Sequence, residues 1–131
     1  MGRRPENRIV TTLLAVSLAA SLASPAGASD DRVRRRGECA GGPGRWELIV
    51  RHEDDSSLRV RWEIDSGAEG QTWQLFISDN GRRVYAGSKV SRDDGEVRVR
   101  RETADRSGTD IVKASGVNLA TGESCGGSVS F

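Results

Sequence analysis

From residue 46 onward, apolar and polar side chains alternate with a period of two. Trp46, Leu48 and Val50 are interleaved with Glu47 and Arg51, with Ile49 as the one interruption. The clearest run follows: Leu58, Val60, Trp62 and Ile64 fall on one face, and Arg59, Arg61, Glu63 and Asp65 on the other. Such a run sets one face of a strand on a core and the other in water, whereas a helix would scatter the same residues around its circumference. Trp73, Leu75 and Ile77 predict a third strand, Val84 and Tyr85 a short return strand, and Val97 and Val99, between Arg98 and Arg100, a fifth. Residues 111–117 and 124–131 predict two more, the last with Cys125, Val129 and Phe131 in phase. Turn-forming residues stand between them at 66–70, 79–81, 93–95, 105–108 and 118–122. Asn80-Gly81 suits the two positive φ angles of a type I′ hairpin. About seven short strands, with turn signals roughly every 8 to 12 residues, predict an all-β, antiparallel β-sandwich.

The first part of the chain reads differently. Arg3, Arg4 and Arg8 precede an apolar run over residues 9–23, and Ala26-Gly27-Ala28 offers a small-x-small cleavage pattern. That order predicts a signal peptide over residues 1–28. The apolar run, about 15 residues, is shorter than the roughly 20 needed to span a bilayer, so no lasting membrane insertion is expected after cleavage. Residues 29–38 hold Arg32, Arg34, Arg35 and Arg36 beside Asp30 and Asp31, with almost no apolar content. They read as a disordered, solvated arm. The folded domain is then 39–131.

Composition narrows the function classes. The 131 residues include 20 Lys and Arg against 19 Asp and Glu. Removing Arg3, Arg4, Arg8 and Glu6 with the leader leaves 17 basic and 18 acidic residues, a balance that argues against a nucleic-acid binder. The only two cysteines, Cys39 and Cys125, predict one disulfide in an exported chain, since His or further Cys partners for a thiol-bound metal are missing. The long loop it closes predicts a stabilisation of about 4 to 5 kcal/mol in the chain-entropy model.

The run Ser57-Leu58-Arg59-Val60-Arg61-Trp62-Glu63 resembles the second strand of a fibronectin type III domain, where Leu-x-Val-x-Trp lies in the core. Residues 114–122, with Asn118 ahead of Thr121-Gly122, look like that family's last hairpin. Gly108-x-Asp110 stands where an immunoglobulin-like domain would often have a corner Tyr, so the resemblance holds at the level of the immunoglobulin-like superfold, which hosts many functions. A closer resemblance is to small exported bacterial proteins of a hypothetical, uncharacterised family. It is carried by Cys39, Trp46-x-Leu48, Gly70-x-x-Trp73, Asn80-Gly81, Gly108-x-Asp110 and Thr121-Gly122-Glu123-x-Cys125. It implies export and a shared fold, and no activity. In such sandwiches the first strand can run parallel beside the last, which would bring Cys39 and Cys125 to one end and let their bridge pin the start of the domain onto an edge strand.

No catalytic constellation emerges. His52 is the only His, no Gly-x-Ser-x-Gly elbow is present, and a nucleophile with its base is therefore not assigned. The acidic loops holding Glu53-Asp54-Asp55, Asp79 and residues 105–110 are expected to share one pole. Clustered carboxylates suit Ca²⁺, but no calcium-loop motif is present and Asp is also a common turn residue, so neither metal nor other cofactor is assigned. Arg59 and Arg61 on one strand, and Arg98 and Arg100 on another, share an open face if those strands pair, and that face is the candidate polyanion surface. Glu47, Glu63, Asp65, Glu96 and Glu102 alternate among them, which predicts cross-strand ion pairs that keep the face in water. Trp62 and Trp73 are in phase with the apolar face and belong to the core. Trp46 is a sugar-stacking candidate only if exposed.

The expected product is a secreted, extracellular, non-enzymatic module, a monomer that binds an extracellular protein or cell-wall polymer. The alternatives are a secreted protease inhibitor presenting residues 66–70 or Arg82-Arg83, and, with less support, a small hydrolase.

Overall fold

The computed structural model describes residues 32–131 and, apart from them, Gly2. The signal-peptide reading of residues 1–28, Gly2 aside, lies outside the described residues, as do positions 29–31. Eight strands follow one another: β1 (Arg32–Glu38), β2 (Arg45–Asp54), β3 (Ser57–Asp65), β4 (Thr72–Asp79), β5 (Arg82–Val90), β6 (Glu96–Ala104), β7 (Ile111–Asn118) and β8 (Ser124–Ser130). They form two four-stranded sheets, in the orders β1-β2-β3-β6 and β5-β4-β7-β8. Every pairing between neighbouring strands is antiparallel. The all-β, sandwich-like architecture is therefore the expected one. No helix among the described residues is long and apolar enough to cross a membrane.

The alternation read from the sequence is what builds the core. Leu58, Val60, Trp62 and Ile64 of β3, with Leu48 and Val50 of β2 and Val97 and Val99 of β6, are buried against Trp73, Leu75, Ile77, Val112 and Val129 of the second sheet. Removing such side chains from water is the main favourable contribution to folding. The β4–β5 hairpin closes through Asn80 and Gly81 at φ 49° and 79°, the double positive φ of the expected turn.

Two expectations are corrected. Residues 29–38 were expected to be a disordered arm, yet Arg32–Glu38 is strand β1, paired in full register with β2. Val33 is the only large apolar side chain it packs on the core, which is why its composition reads as a solvated tail. Gly37 explains the fit: a Cβ there would stand 2.5 Å from Trp46 Cζ2. A Cβ at Gly127 of β8 would come equally close to Trp46 Cζ3, at 2.5 Å. Trp46 thus lies against two glycines and is tilted onto Trp62 with ring centroids 5.6 Å apart. It is half-buried and packed against the core.

The second correction concerns the staple. Cys39 and Cys125 do form a disulfide. However, the strand that follows Cys39 does not run parallel beside the last strand. β2 lies between β1 and β3 in one sheet, and β8 borders β7 in the other. The bridge instead ties the β1–β2 connection to β8, beside an isolated antiparallel bridge between Ala40 and Ser124. It thereby joins the two sheets. Glu123, itself buried, supports the same connection by accepting a hydrogen bond from the Gly44 N–H at 2.7 Å.

Candidate polyanion-binding face

The outward face of the first sheet is a grid whose rows follow from strand register. The first row is Arg32, Arg51, Arg59 and Glu102; the second is Arg34, Ile49, Arg61 and Arg100. The third is Arg36, Glu47, Glu63 and Arg98, and the fourth is Glu38, Arg45, Asp65 and Glu96. Rows lie about 7 Å apart and strands about 4.8 Å apart. Six arginines and one carboxylate occupy the first two rows, whereas three carboxylates and one arginine occupy the fourth. The face is therefore electrically polar from one end of its strands to the other.

The pairing of β3 with β6 brings Arg59, Arg61, Arg98 and Arg100 onto one face, as expected, but it does not make them equivalent. Arg98 is held between Glu63 and Glu96, the latter at 2.6 Å. Arg61 bonds Glu47 at 3.0 Å, and Arg59 bonds Glu53 at 2.7 Å. Arg100 is exposed and has no carboxylate at ion-pair distance among the described residues. Arg32, Arg34 and Arg51 complete the arginine band, and sequence reasoning missed them as part of it. Arg32 and Arg34 stood in what read as a tail, and Arg51, on the polar side of the first alternating run, had no register to set it beside Arg59.

Ile49 is the residue that explains the grid. It points outward yet is only 5% exposed. Arginine buries its aliphatic stem along apolar surface while its guanidinium stays in water. Arg32, Arg51, Arg59, Arg61 and Arg100 line, together with Ile49, a shallow depression of about 360 Å³. The apparent break in the alternation is thus an apolar floor beneath a ring of arginines.

Glu47 anchors the border between the arginine band and the third row. Burial alone would raise its pKa, but hydrogen bonds from Arg36 and Arg61 and the charges of Arg34 and Arg36 outweigh that and hold it below the ordinary glutamate value. At the opposite end of the face, a depression of about 580 Å³ is lined by Glu38, Glu47, Glu63, Asp65 and Glu96 together with Arg36, Arg45 and Trp46. That end offers carboxylates to a ligand.

The acidic pole is only partly assembled. Glu53 turns to Arg51 and Arg59 on the arginine face, and Asp54 caps the β2–β3 turn through Ser56. Asp79, Asp105 and Asp110 do meet. Asp110 is 1% exposed and Asp79 2%. Asn80 Nδ2 donates to Asp110 Oδ1 at 3.1 Å, and Thr103 Oγ1 donates to Asp79 Oδ2 at 3.1 Å. The remaining oxygens, Asp79 Oδ1 and Asp110 Oδ2, have no donor among the described protein groups. Burial first, then the Asp79 charge and hydrogen bonds with Asp105 and Asp79, push the Asp110 carboxyl up to about 6. His52 Nδ1 lies 3.3 Å from Asp105 Oδ2, with its ring against Phe131. Among the described residues no group of three or more His, Cys, Asp or Glu side chains is arranged to hold a metal ion.

The segments considered for protease inhibition are tied into the body. Ser66 Oγ donates to Gly95 O at 2.7 Å, Ser91 Oγ donates to Ala68 O at 2.6 Å, and Arg82 and Arg83 belong to β5. The Arg83 guanidinium stacks over Phe76 at 5.0 Å.

No family model matches the chain, and no curated protein and no solved structure matches it either.

Proposed function

We propose that this protein is an exported bacterial, non-catalytic module that binds an anionic extracellular polymer through the arginine-rich end of its first sheet. The observation that carries the reading is the gathering of Arg32, Arg34, Arg51, Arg59, Arg61 and Arg100 in two adjacent rows around Ile49. Guanidinium groups bond oxyanions through parallel N–H donors, and a local excess of one sign raises the concentration of the opposite ion. Export is supported by the leader pattern of residues 1–28 and by the Cys39–Cys125 disulfide, a bond favoured in oxidising compartments. An immunoglobulin-like, fibronectin type III-like sandwich is supported by the strand order. With β1 set aside, the strand orders are β2-β3-β6 and β5-β4-β7-β8, and the β3–β4, β5–β6 and β6–β7 connections pass from one sheet to the other, in keeping with that superfold.

The test is retention of the purified mature protein on a heparin column at about 0.15 M salt, where exposed charges further apart than roughly 8 Å are screened from one another. Retention that falls with added salt is the expected outcome. Elution in the flow-through refutes the reading.

A further inference from the structure

Resting on that reading, we infer that the polymer is a linear chain of phosphate or sulfate groups lying across the strands, along the arginine band from β1 to β6, and not along any strand. The grid leaves one direction open. Across the strands, the second row presents Arg34, Arg61 and Arg100 over three strand intervals, about 14 Å, without a carboxylate in the row. The first row adds Arg32, Arg51 and Arg59 beside it. Along the strands, every path leads within about 20 Å from arginines to the fourth row, with Glu38, Asp65 and Glu96. A polyanion running that way would set its far end against three carboxylates.

The depression over Ile49 gives the direction a physical track. Arg32, on β1 at one edge of the sheet, and Arg100, on β6 at the other, line the same depression. The in-row neighbours of the third row are already matched: Arg36 lies on Glu47, and Arg98 on Glu63. Their guanidiniums have partners to lose, whereas Arg100 has none among the described residues. Within the band Arg34, Arg51, Arg59 and Arg61 are ion-paired as well, so an arriving oxyanion gains most at the two ends, Arg32 and Arg100, which carry no ion pair among the described residues.

The experiment measures dissociation constants of the full mature, disulfide-bonded protein for linear polyphosphate and for heparin oligosaccharides, by calorimetry at two salt concentrations. The two probes separate phosphate from sulfate as the preferred group. Arg32→Gln and Arg100→Gln, at opposite ends of the band, are each expected to weaken binding about three- to fivefold and to lower the salt dependence by about one counterion. Arg36→Gln and Arg98→Gln, and the neutralising Glu38→Gln, are expected to change it less than about twofold, since Arg36 and Arg98 are already held by Glu47, Glu63 and Glu96 and the fourth row lies about 14 Å from the nearest row of the band. Losses at Arg36 and Arg98 equal to those at Arg32 and Arg100, or marked tightening in Glu38→Gln, would overturn the crosswise track while leaving polyanion binding intact. If the unmodified protein binds neither probe, the functional reading itself falls and the track with it. Far-ultraviolet circular dichroism of each variant confirms that only the surface has changed.

Discussion

The buried Asp79–Asp110 pair makes a prediction with a definite sign. Both carboxyls are out of water, and each has one oxygen without a protein donor. A proton on Asp110 supplies that donor and removes one of two facing charges. The Asp110 carboxyl is accordingly raised from an ordinary 3.8 to about 6, by burial first and by Asp79 and Asp105 next. The folded chain therefore holds a proton that the unfolded chain has released throughout that interval. Stability must fall as pH rises through it, because the unfolded state binds fewer protons. About two pH units at 1.36 kcal/mol each give on the order of 3 kcal/mol, fully present below about pH 4 and lost above about pH 6. Asp110→Asn keeps an acceptor for Asn80 and replaces the titrating oxygen with a permanent donor. The variant should match the parent near pH 4 and exceed it at pH 7.5 by about 1 to 3 kcal/mol. Urea unfolding followed by fluorescence of the buried Trp62 and Trp73 reads the difference at each pH. Parental stability that is flat or rising between pH 4.5 and 7, or an Asp110→Asn protein weaker than the parent at pH 7.5, would refute the reasoning. So would an unchanged pH slope in the variant.

Two further perturbations follow from the core. Gly127→Ala would bring a Cβ to 2.5 Å from the Trp46 ring, and overpacking of this kind costs about 1 to 3 kcal/mol, measurable as a lower urea midpoint with an unchanged slope. Replacing Cys39 and Cys125 together by Ala opens a crosslink spanning 86 residues, and the chain-entropy account gives a loss of about 4 to 5 kcal/mol, readable as a drop in thermal midpoint of the purified protein.

Legibility in the sequence tracked how much each segment buries. β3 was plain because four apolar and four polar side chains alternate without interruption, and β4 and its hairpin because Asn80-Gly81 marks the turn. β1 was invisible because an edge strand that packs only Val33 and sets Gly37 beneath an indole leaves a run of arginines as its whole signature. The partner that makes it a strand, Glu47 with its three arginine neighbours Arg34, Arg36 and Arg61, is a tertiary fact. The disulfide was legible as a pair, but its path was not. Loop-to-edge closure between sheets depends on β8 standing next to the β1–β2 connection, which no residue pattern states.

The same missing strand changes what the arginines mean. Without β1, Arg59, Arg61, Arg98 and Arg100 form a two-strand patch with carboxylates interleaved, and cross-strand neutralisation is the natural account of it. Adding β1 extends the first two rows by Arg32 and Arg34 and leaves the third and fourth rows at neutral or negative charge. An edge strand lined with cations also resists pairing with another chain's edge, so charge at this position has a protective reason of its own. That reason covers the arginines of both edge strands, β1 and β6, but not an isoleucine buried on the water-facing side of the sheet beneath guanidiniums. A face selected only to stay in water would spread its two signs evenly over the rows. This one separates them, and the separation is what a bound anion would exploit.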